Sequence, residues 1–578
     1  MLIQLFKSEK KDSISNLDPQ TRRAIRGWCM YDWANSAFFT SAGTAIFPIY
    51  FVIAFQASFG SRSEILGMTF TGSSLWALGV ALSALAVALS SPLLGAIADT
   101  KPIKKTFLKY YMIVGSSFTI LSFFAAYFTD SWIWLIGCYF IANIGAAGAN
   151  VFYNSLLPSL APSKYVNEIS TKGYAYGYIG GGLLLLVHLI VIQGASLYYD
   201  ASIVDLVTRF CIVSVGIWWF GWSIWTLKTV PEPPVDNISK NYNLSTTIIS
   251  AFSKLKNTFS EIRKFKYLFS FLIAFYIFND GVQTVISVAG AYAADVLGVD
   301  LIYNMITILI IQFVAAPGSI FFGWLADKLG TKEALIIALS GWIIIIIFVL
   351  GFAPLKLTND LKYDYQFTFD QKVDKYNLIS APEFSSTEEN KDVLFWESNF
   401  HKKKNEVLDE NELILFSNII FEEQTSSYSI VIKGGNLDST RIISQNHPTV
   451  LSDEWIDIWP IFLRDILWQP LNIKIGFQWM ILGLFSGIVL GGSQALARAC
   501  FSMMTPIKKS AEFFGFYAFT MKASSVIGPI IYVFAVNAGN QKIGVLIIWF
   551  LIVVGTIYLS TVNVAKGALV AEEENSKD

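Results

Sequence analysis

A chain of 578 residues with 54 % hydrophobic and only 15 % charged side chains, and a mean hydropathy of +0.51, is too apolar for a soluble globular protein and fits a polytopic membrane protein. The formal net charge is −1, and no nucleic-acid partner is expected. Four cysteines (Cys29, Cys138, Cys211, Cys500) lie in or beside apolar runs without a CxxC, and there are three histidines, which argues against a disulfide framework and a histidine-ligated metal centre.

In chain order, the short apolar start MLIQLF is followed by the charged stretch Lys7 to Arg26, so an uncleaved first anchor is expected rather than a signal peptide. Runs of roughly 18 or more mostly apolar residues predict about twelve spans, at 28–56, 72–97, 107–128, 131–155, 174–193, 207–229, 267–294, 301–325, 333–354, 474–500, 512–536 and 543–564. The organisation that follows is an N-terminal segment 1–27, a six-helix bundle 28–229 and a polar linker 230–266. Three more helices occupy 267–354, an insertion 355–470, the last three helices 471–564, and a tail 565–578. The insertion is acidic, and its alternating stretches Tyr363 to Phe369 and Tyr428 to Lys433 read as strands.

Two joints carry the strongest pattern. GAIADTKPIKK, from Gly95 through Asp99 to Lys104 and Lys105, sits between the second and third apolar runs; GWLADKLGTK, from Gly323 through Asp327 and Lys328 to Lys332, sits between the eighth and ninth. Charges this close to hydrocarbon belong in short polar turns, and a charged hairpin at the same place in both halves points to an internally repeated transporter. Lys and Arg crowd into alternate connections, while the opposite short loops hold only Arg62 and Lys542. Both termini and both hairpins are therefore expected to be cytoplasmic and residues 355–470 extracytoplasmic.

The six-linker-six layout with GxxxD hairpins resembles the major facilitator superfamily, whose loop signature is Gly-x-x-x-Asp-Arg/Lys-x-Gly-Arg-Arg/Lys. The second hairpin matches it at Gly323, Asp327, Lys328, Gly330 and Lys332; the first has Thr100 and Pro102-Ile103 where the cation-x-Gly belongs. Longer strings narrow the match. YDWANSAF (Tyr31 to Phe38), VFYNSLLPSL (Val151 to Leu160), GYAYGYIGG from Gly173, FNDGVQT (Phe278 to Thr284), APGSIFFGWLAD (Ala316 to Asp327), GGSQALARA (Gly491 to Ala499) and FFGFYAFTMKASSVIGP (Phe513 to Pro529) resemble the vacuole-effluxer-like branch. That branch contains fungal autophagy-related amino-acid effluxers and many bacterial homologues. The resemblance implies an all-α membrane protein of major-facilitator type, with about twelve transmembrane helices in two six-helix pseudo-repeats. The small, β-rich extracytoplasmic insertion lies outside it.

Polar side chains inside spans are the candidates for transport, because each is costly in hydrocarbon unless paired or wetted. In the first span these are Asp32, Asn35, Ser36 and Thr40, with Asp32, Ser36 and Thr40 on one helical face. The seventh answers with Asn279, Asp280, Gln283 and Thr284; NSAFFT and NDGVQT share Asn-x4-Thr. Asp280 lies about 20 Å along a helix from Lys266 and is the candidate for proton coupling, its rival reading being a structural carboxylate. Asn143, Asn150 and Asn154 form a stripe in the fourth span that suits interhelical bonding as well as solute contact. Gln494 and Lys522 complete the solute candidates, Asp280 being a conceivable partner for Lys522. Arg498 joins the hairpin residues Gly95, Asp99, Lys104, Lys105, Gly323, Asp327, Lys328 and Lys332 as gate candidates, able to snorkel or to pair with a carboxylate. Gly173, Gly177 and Gly181 recur every four residues, a ridge for close helix packing. His188, alone among Leu and Val, reads as structural.

These residues and the resemblance together predict a secondary transporter of a small polar solute, an amino acid or related metabolite, with no cofactor beyond a coupled proton. The cavity candidates suit a zwitterion, and equally a sugar or weak acid. A second reading is a transporter-like sensor or assembly factor that binds a partner protein through 355–470. An enzyme is disfavoured for want of a nucleophile with a partner, and an ATP-driven pump for want of GxxxxGK[ST].

Overall fold

The computed structural model of the chain describes residues 13–59, 63–65, 68–70, 72–99, 101–233, 263–295, 297–299, 301–382, 405–422, 428–445, 447–451, 454–525, 527–528, 531–532 and 541–576. Most of the expected linker (234–262), His401 and parts of the insertion and of the span at 512–536 fall outside them. The chain divides into two compact units, one of residues 1–288, 305–346 and 481–578, the other of residues 289–304 and 347–480.

Where hydrocarbon is the solvent, backbone groups must be satisfied within the segment, so the apolar runs become helices. The N-terminal half holds α1 (Pro19–Phe59), α2 (Gly72–Ala98), α3 (Lys104–Leu121), α4 (Ser131–Ser155), α5 (Val166–Tyr198) and α6 (Ala201–Thr229), with the two-stranded ribbon β1 (Ser63–Ile65) and β2 (Met68–Phe70) after α1. The second half supplies α7 (Lys266–Asp295), α8 (Leu301–Leu329) and α9 (Thr331–Leu350). Among the described residues, eleven helices are long and apolar enough to cross a membrane.

Local chemistry sets the ends. Asp18 accepts the N–H groups of Gln20 and Thr21, both at 2.9 Å, and Pro19 takes the first helical position of α1. Asp200 does the same for α6 through Ile203 N–H at 3.1 Å. Midway, α1 widens into a π-helical stretch over Phe38–Ile46, and the Thr44 hydroxyl donates to the Phe39 carbonyl five residues back at 2.8 Å, in the register of that wider turn. The polar VNEISTK run extends α5 upstream of the expected start at 174.

Between α9 and the next long helix lie β3 (Tyr365–Asp370), β4 (Lys375–Ser380), β5 (Val407–Leu408), α10 (Glu410–Glu422), β6 (Ser429–Lys433), β7 (Thr440–Ile443) and the short α11 (Ile458–Leu463). The five strands form one sheet in the order β5-β4-β3-β6-β7, with β3 and β6 parallel and the other neighbours antiparallel. Tyr365, Phe367, Leu378 and Ile430 from the sheet pack with Leu413, Phe416 and Ile420 of α10 into a core of its own. The strands stand where alternation predicts them. The helix is an addition to the β reading: Asp409 and Glu412 exchange backbone bonds of 2.8 and 3.0 Å in a capping box, and Leu413, Phe416 and Ile420 follow at helical spacing.

The chain closes with α12 (Ile475–Met503), α13 (Ser510–Ala523), α14 (Gln541–Thr561) and α15 (Val564–Asn575). The span expected as 512–536 is not one continuous helix among the described residues. It stops at Ala523 and turns at Ser524-Ser525, with helical residues again at 527–528 and 531–532. Ser524 is occupied sideways: its hydroxyl donates to Met521 O at 2.9 Å and accepts Asn279 Nδ2 of α7 at 2.7 Å.

Candidate functional site

The α2–α3 hairpin reaches into the second half of the chain. Both oxygens of Asp99 accept backbone N–H groups at the start of α13, Ala511 at 3.2 Å and Glu512 at 2.7 Å. A carboxylate there satisfies donors the helix leaves open and sits at the positive end of its dipole. Lys104, itself buried, pairs with Asp99 at 2.7 Å and donates to Ser510 Oγ at 2.7 Å. Gly95 makes the approach possible, for a Cβ there would lie 2.2 Å from the Ala511 carbonyl oxygen. Lys105 stays outside this knot; its N–H and that of Lys104 are taken by Glu232 at 2.9 and 2.7 Å.

The α8–α9 hairpin is built differently. A Cβ on Gly323 would lie 2.6 Å from Thr171 Oγ1 on α5, and Thr331 donates to Asn167 Oδ1 at 3.0 Å. Lys332 caps the end of α14 through the Ser560 and Val562 carbonyls at 3.2 and 3.3 Å. Lys328 lies over the Trp324 ring, and Asp327 is half-buried at the end of α8. The turn passes through Gly330 at φ +106°, a conformation that favours glycine.

A second polar layer centres on Arg498 of α12. Its guanidinium pairs with Asp32 at 3.1 Å and reaches Asn154 Oδ1 at 3.3 Å, Ser170 Oγ at 2.9 Å and the Ser170 carbonyl at 2.8 Å. The Tyr174 and Trp28 rings flank it, with centroids 4.1 and 4.8 Å away. The fork shape of arginine lets one buried cation satisfy four oxygens. α1 and α5 meet here along two ridges: Cβ atoms on Gly173, Gly177 and Gly181 would lie 2.5, 2.5 and 2.9 Å from Asp32 Oδ2, Ser36 Oγ and Thr40 Oγ1. The polar face of α1 thus runs along the glycine ridge of α5.

The remaining polar residues form shorter links. Asn35 donates to Asn150 at 2.6 Å and Asn143 to Ser83 at 2.7 Å. Gln494 reaches Asn279 Oδ1 at 3.4 Å. Buried Asp280 accepts Gly528 N–H at 3.0 Å, just past the break in the eleventh span, and Thr284 donates back to the Asp280 carbonyl at 2.6 Å. Gln283 is half-buried. The Lys522 side chain is half-buried and makes no hydrogen bond or ion pair with any described residue; the pairing with Asp280 considered from the sequence is not made. His188 joins Ser41 and Ser214 through 2.7 Å contacts at each ring nitrogen. Sequence reasoning missed Ser170, Ser510, Thr171 and Glu232, small or loop residues without charge clustering. Their only signal was position: Ser170 and Thr171 lie just before the GYAYGYIGG string, Ser510 just before FFGFYAFTMKASSVIGP, and Glu232 in the proline-rich start of the linker.

Helices paired across two chain halves, with polar knots joining them, match the fold of the major facilitator superfamily. Two solved structures share this architecture. A bacterial homologue of the iron transporter ferroportin gives a TM-score of 0.53 at 9 % identity, covering 94 % of this chain and 99 % of that one. The proton:xylose symporter XylE gives 0.51 at 13 %, covering 96 % and 98 %. Residues 20–361 and 452–572 match the family described as "Vacuole effluxer Atg22 like", and the chain belongs to that family. An uncharacterized MFS-type transporter, YxiO of Bacillus subtilis, is 30 % identical over 56 % of this chain and 72 % of its own length. Autophagy-related protein 22 of Saccharomyces cerevisiae is 22 % identical over 98 % and 96 %. The chain is therefore a multi-pass membrane transporter.

Proposed function

We propose that the chain is a secondary active transporter that carries a small polar solute, an amino acid or related metabolite, by alternating access with proton coupling at Asp280. The observation that carries this reading is the pair of polar knots between chain halves, Asp99–Lys104 on the start of α13 and Asp32–Arg498. They are separable contacts of the kind that hold one access state and break in the other. Asp280 and Lys522, whose side chain has no partner among the described residues, place an acid and a base within membrane segments of the second half, which suits a zwitterion. Asp280 also holds the backbone at the break after α13, so a proton arriving on the carboxyl weakens that hold and links protonation to helix movement. The Lys and Arg bias supports cytoplasmic termini and hairpins and an extracytoplasmic 355–470, and likeness to YxiO of Bacillus subtilis favours a bacterial cytoplasmic membrane. The organisation is 28–229 and 267–354 plus 471–564 as two bundles.

The test is flux of a labelled amino-acid pool in proteoliposomes, with and without an inward proton gradient. Wild type should show gradient-stimulated flux, and Asp280→Asn should lose it while keeping counterflow. No flux of any amino acid in folded protein would remove the substrate class. A second reading, partner binding through the insertion, is favoured by one observation: α10 leaves Leu415 and Phe421 exposed, at 63 and 50 %. Normal flux after Leu415→Glu and Phe421→Glu, with loss of a cellular phenotype, would support it.

A further inference from the structure

A groove of about 510 Å³ runs between α3 and α6. One end is cationic, with Lys105 and Lys109 one turn apart on α3 and Lys228 on the last turn of α6. The other end is apolar, floored by Met112, Ile113, Phe220 and Ile224. From Lys105 to Ile113 the helix climbs about 12 Å, so charge and grease are separated along the membrane-crossing direction. Among the described residues, none of the three ammonium groups has a carboxylate partner. The acid at the rim, Glu232, spends both oxygens on the Lys104 and Lys105 N–H groups.

We propose that this groove binds one anionic phospholipid, its phosphate among Lys105, Lys109 and Lys228 and an acyl chain along Met112, Ile113 and Ile224. Charge complementarity selects an anion, since three cations face one committed carboxylate. The apolar half selects an amphiphile over a free ion, which would have no use for it. The neighbouring surface of the same helices is apolar and exposed, as at Tyr110, Val114 and Ile217, as bilayer-facing surface should be. Lysines at a helix end next to the membrane are attracted to anionic lipid headgroups. Their function here is to hold α3 and α6 together at the end where α3 enters the hairpin.

The experiment uses the full chain in neutral detergent, titrated with phosphatidylglycerol, phosphatidylcholine or inorganic phosphate, with bound lipid counted by native mass spectrometry. One phosphatidylglycerol should bind, on the order of tenfold or more tighter than phosphatidylcholine. The Lys105→Gln, Lys109→Gln, Lys228→Gln triple variant should erase that preference while keeping the wild-type unfolding temperature in phosphatidylcholine. Ile224→Trp, which fills the apolar half without touching charge, should weaken phosphatidylglycerol binding as well. Equal binding of the two lipids, or an undiminished preference in the triple variant, would overturn the proposal. Displacement of phosphatidylglycerol by millimolar phosphate with Ile224→Trp silent would assign the site to a free anion instead.

Discussion

The two charged hairpins look alike in sequence and are built on different physics. The second follows the superfamily signature more closely, yet its described contacts are dispersed: Lys332 on the carbonyls ending α14, Thr331 on Asn167, Lys328 over an aromatic ring. The first departs from the signature at Thr100 and Pro102-Ile103 but keeps a cation at its last position, Lys104, which is buried directly on Asp99. Both Asp99 oxygens also cap α13 in the other chain half. Motif likeness therefore does not rank strength; burial and the number of satisfied bonds do.

The largest effect should come from Asp99→Asn, which leaves Lys104 buried without its counter-charge and costs about 3–5 kcal/mol. Thermal unfolding in detergent should show it, whereas Asp327→Asn at the half-buried counterpart should cost about 1 kcal/mol or less. Equal losses would erase the distinction between the hairpins. One layer inward, Arg498→Lys keeps the charge but loses the fork that serves Asp32, Asn154 and Ser170, a loss of about 2–3 kcal/mol. Cysteines placed at Ser36 or Ser170 should then react faster with a membrane-impermeant thiol reagent; unchanged labelling would show that Arg498 does not hold this end closed.

A steric pair sharpens the comparison further. Gly95→Ala drives a methyl into the Ala511 carbonyl, where only backbone movement relieves it, at about 1–3 kcal/mol. Gly323→Ala meets the Thr171 side chain, which can turn away, so its unfolding temperature should fall less. The smallest effect belongs to an exposed cluster, Asp360 with Arg441 at 2.8 Å and Lys433 at 3.2 Å. Hydrogen bonds from Arg441, then Lys433, hold the Asp360 carboxyl below its ordinary value. A carboxyl lowered on folding contributes stability that is complete above its unfolded pKa near 4 and fades as pH falls through the lower folded value. Arg441→Ala should therefore lower stability slightly at neutral pH and converge with wild type as pH falls below the folded value, which flattens the acid limb of unfolding in this sheet; an unaltered limb would rule out this cluster as its source.

Sequence alone was enough for whatever depends on local pattern. Apolar run length yields the membrane helices because hydrocarbon leaves the backbone one solution, alternation yields β3 and β6, and the quoted strings carry the family. Even some locally encoded features went unread: the Asp409–Glu412 capping box announces α10, and Ser524-Ser525 marks where α13 stops. The sequence could mark Asp99, Asp32 and Arg498 as charges in need of partners, but not name the partners. The partners of Asp32 and Arg498, and the helix start that Asp99 caps, lie hundreds of residues away, and the choice depends on which helices the fold sets side by side. Tertiary structure alone put Asp99 on the first turn of α13, Asp32 under Arg498, and the glycine ridge of α5 against Asp32, Ser36 and Thr40. Pairing across the chain is decided by packing and by burial, which makes an unmatched charge too costly to leave, and neither is written in local periodicity.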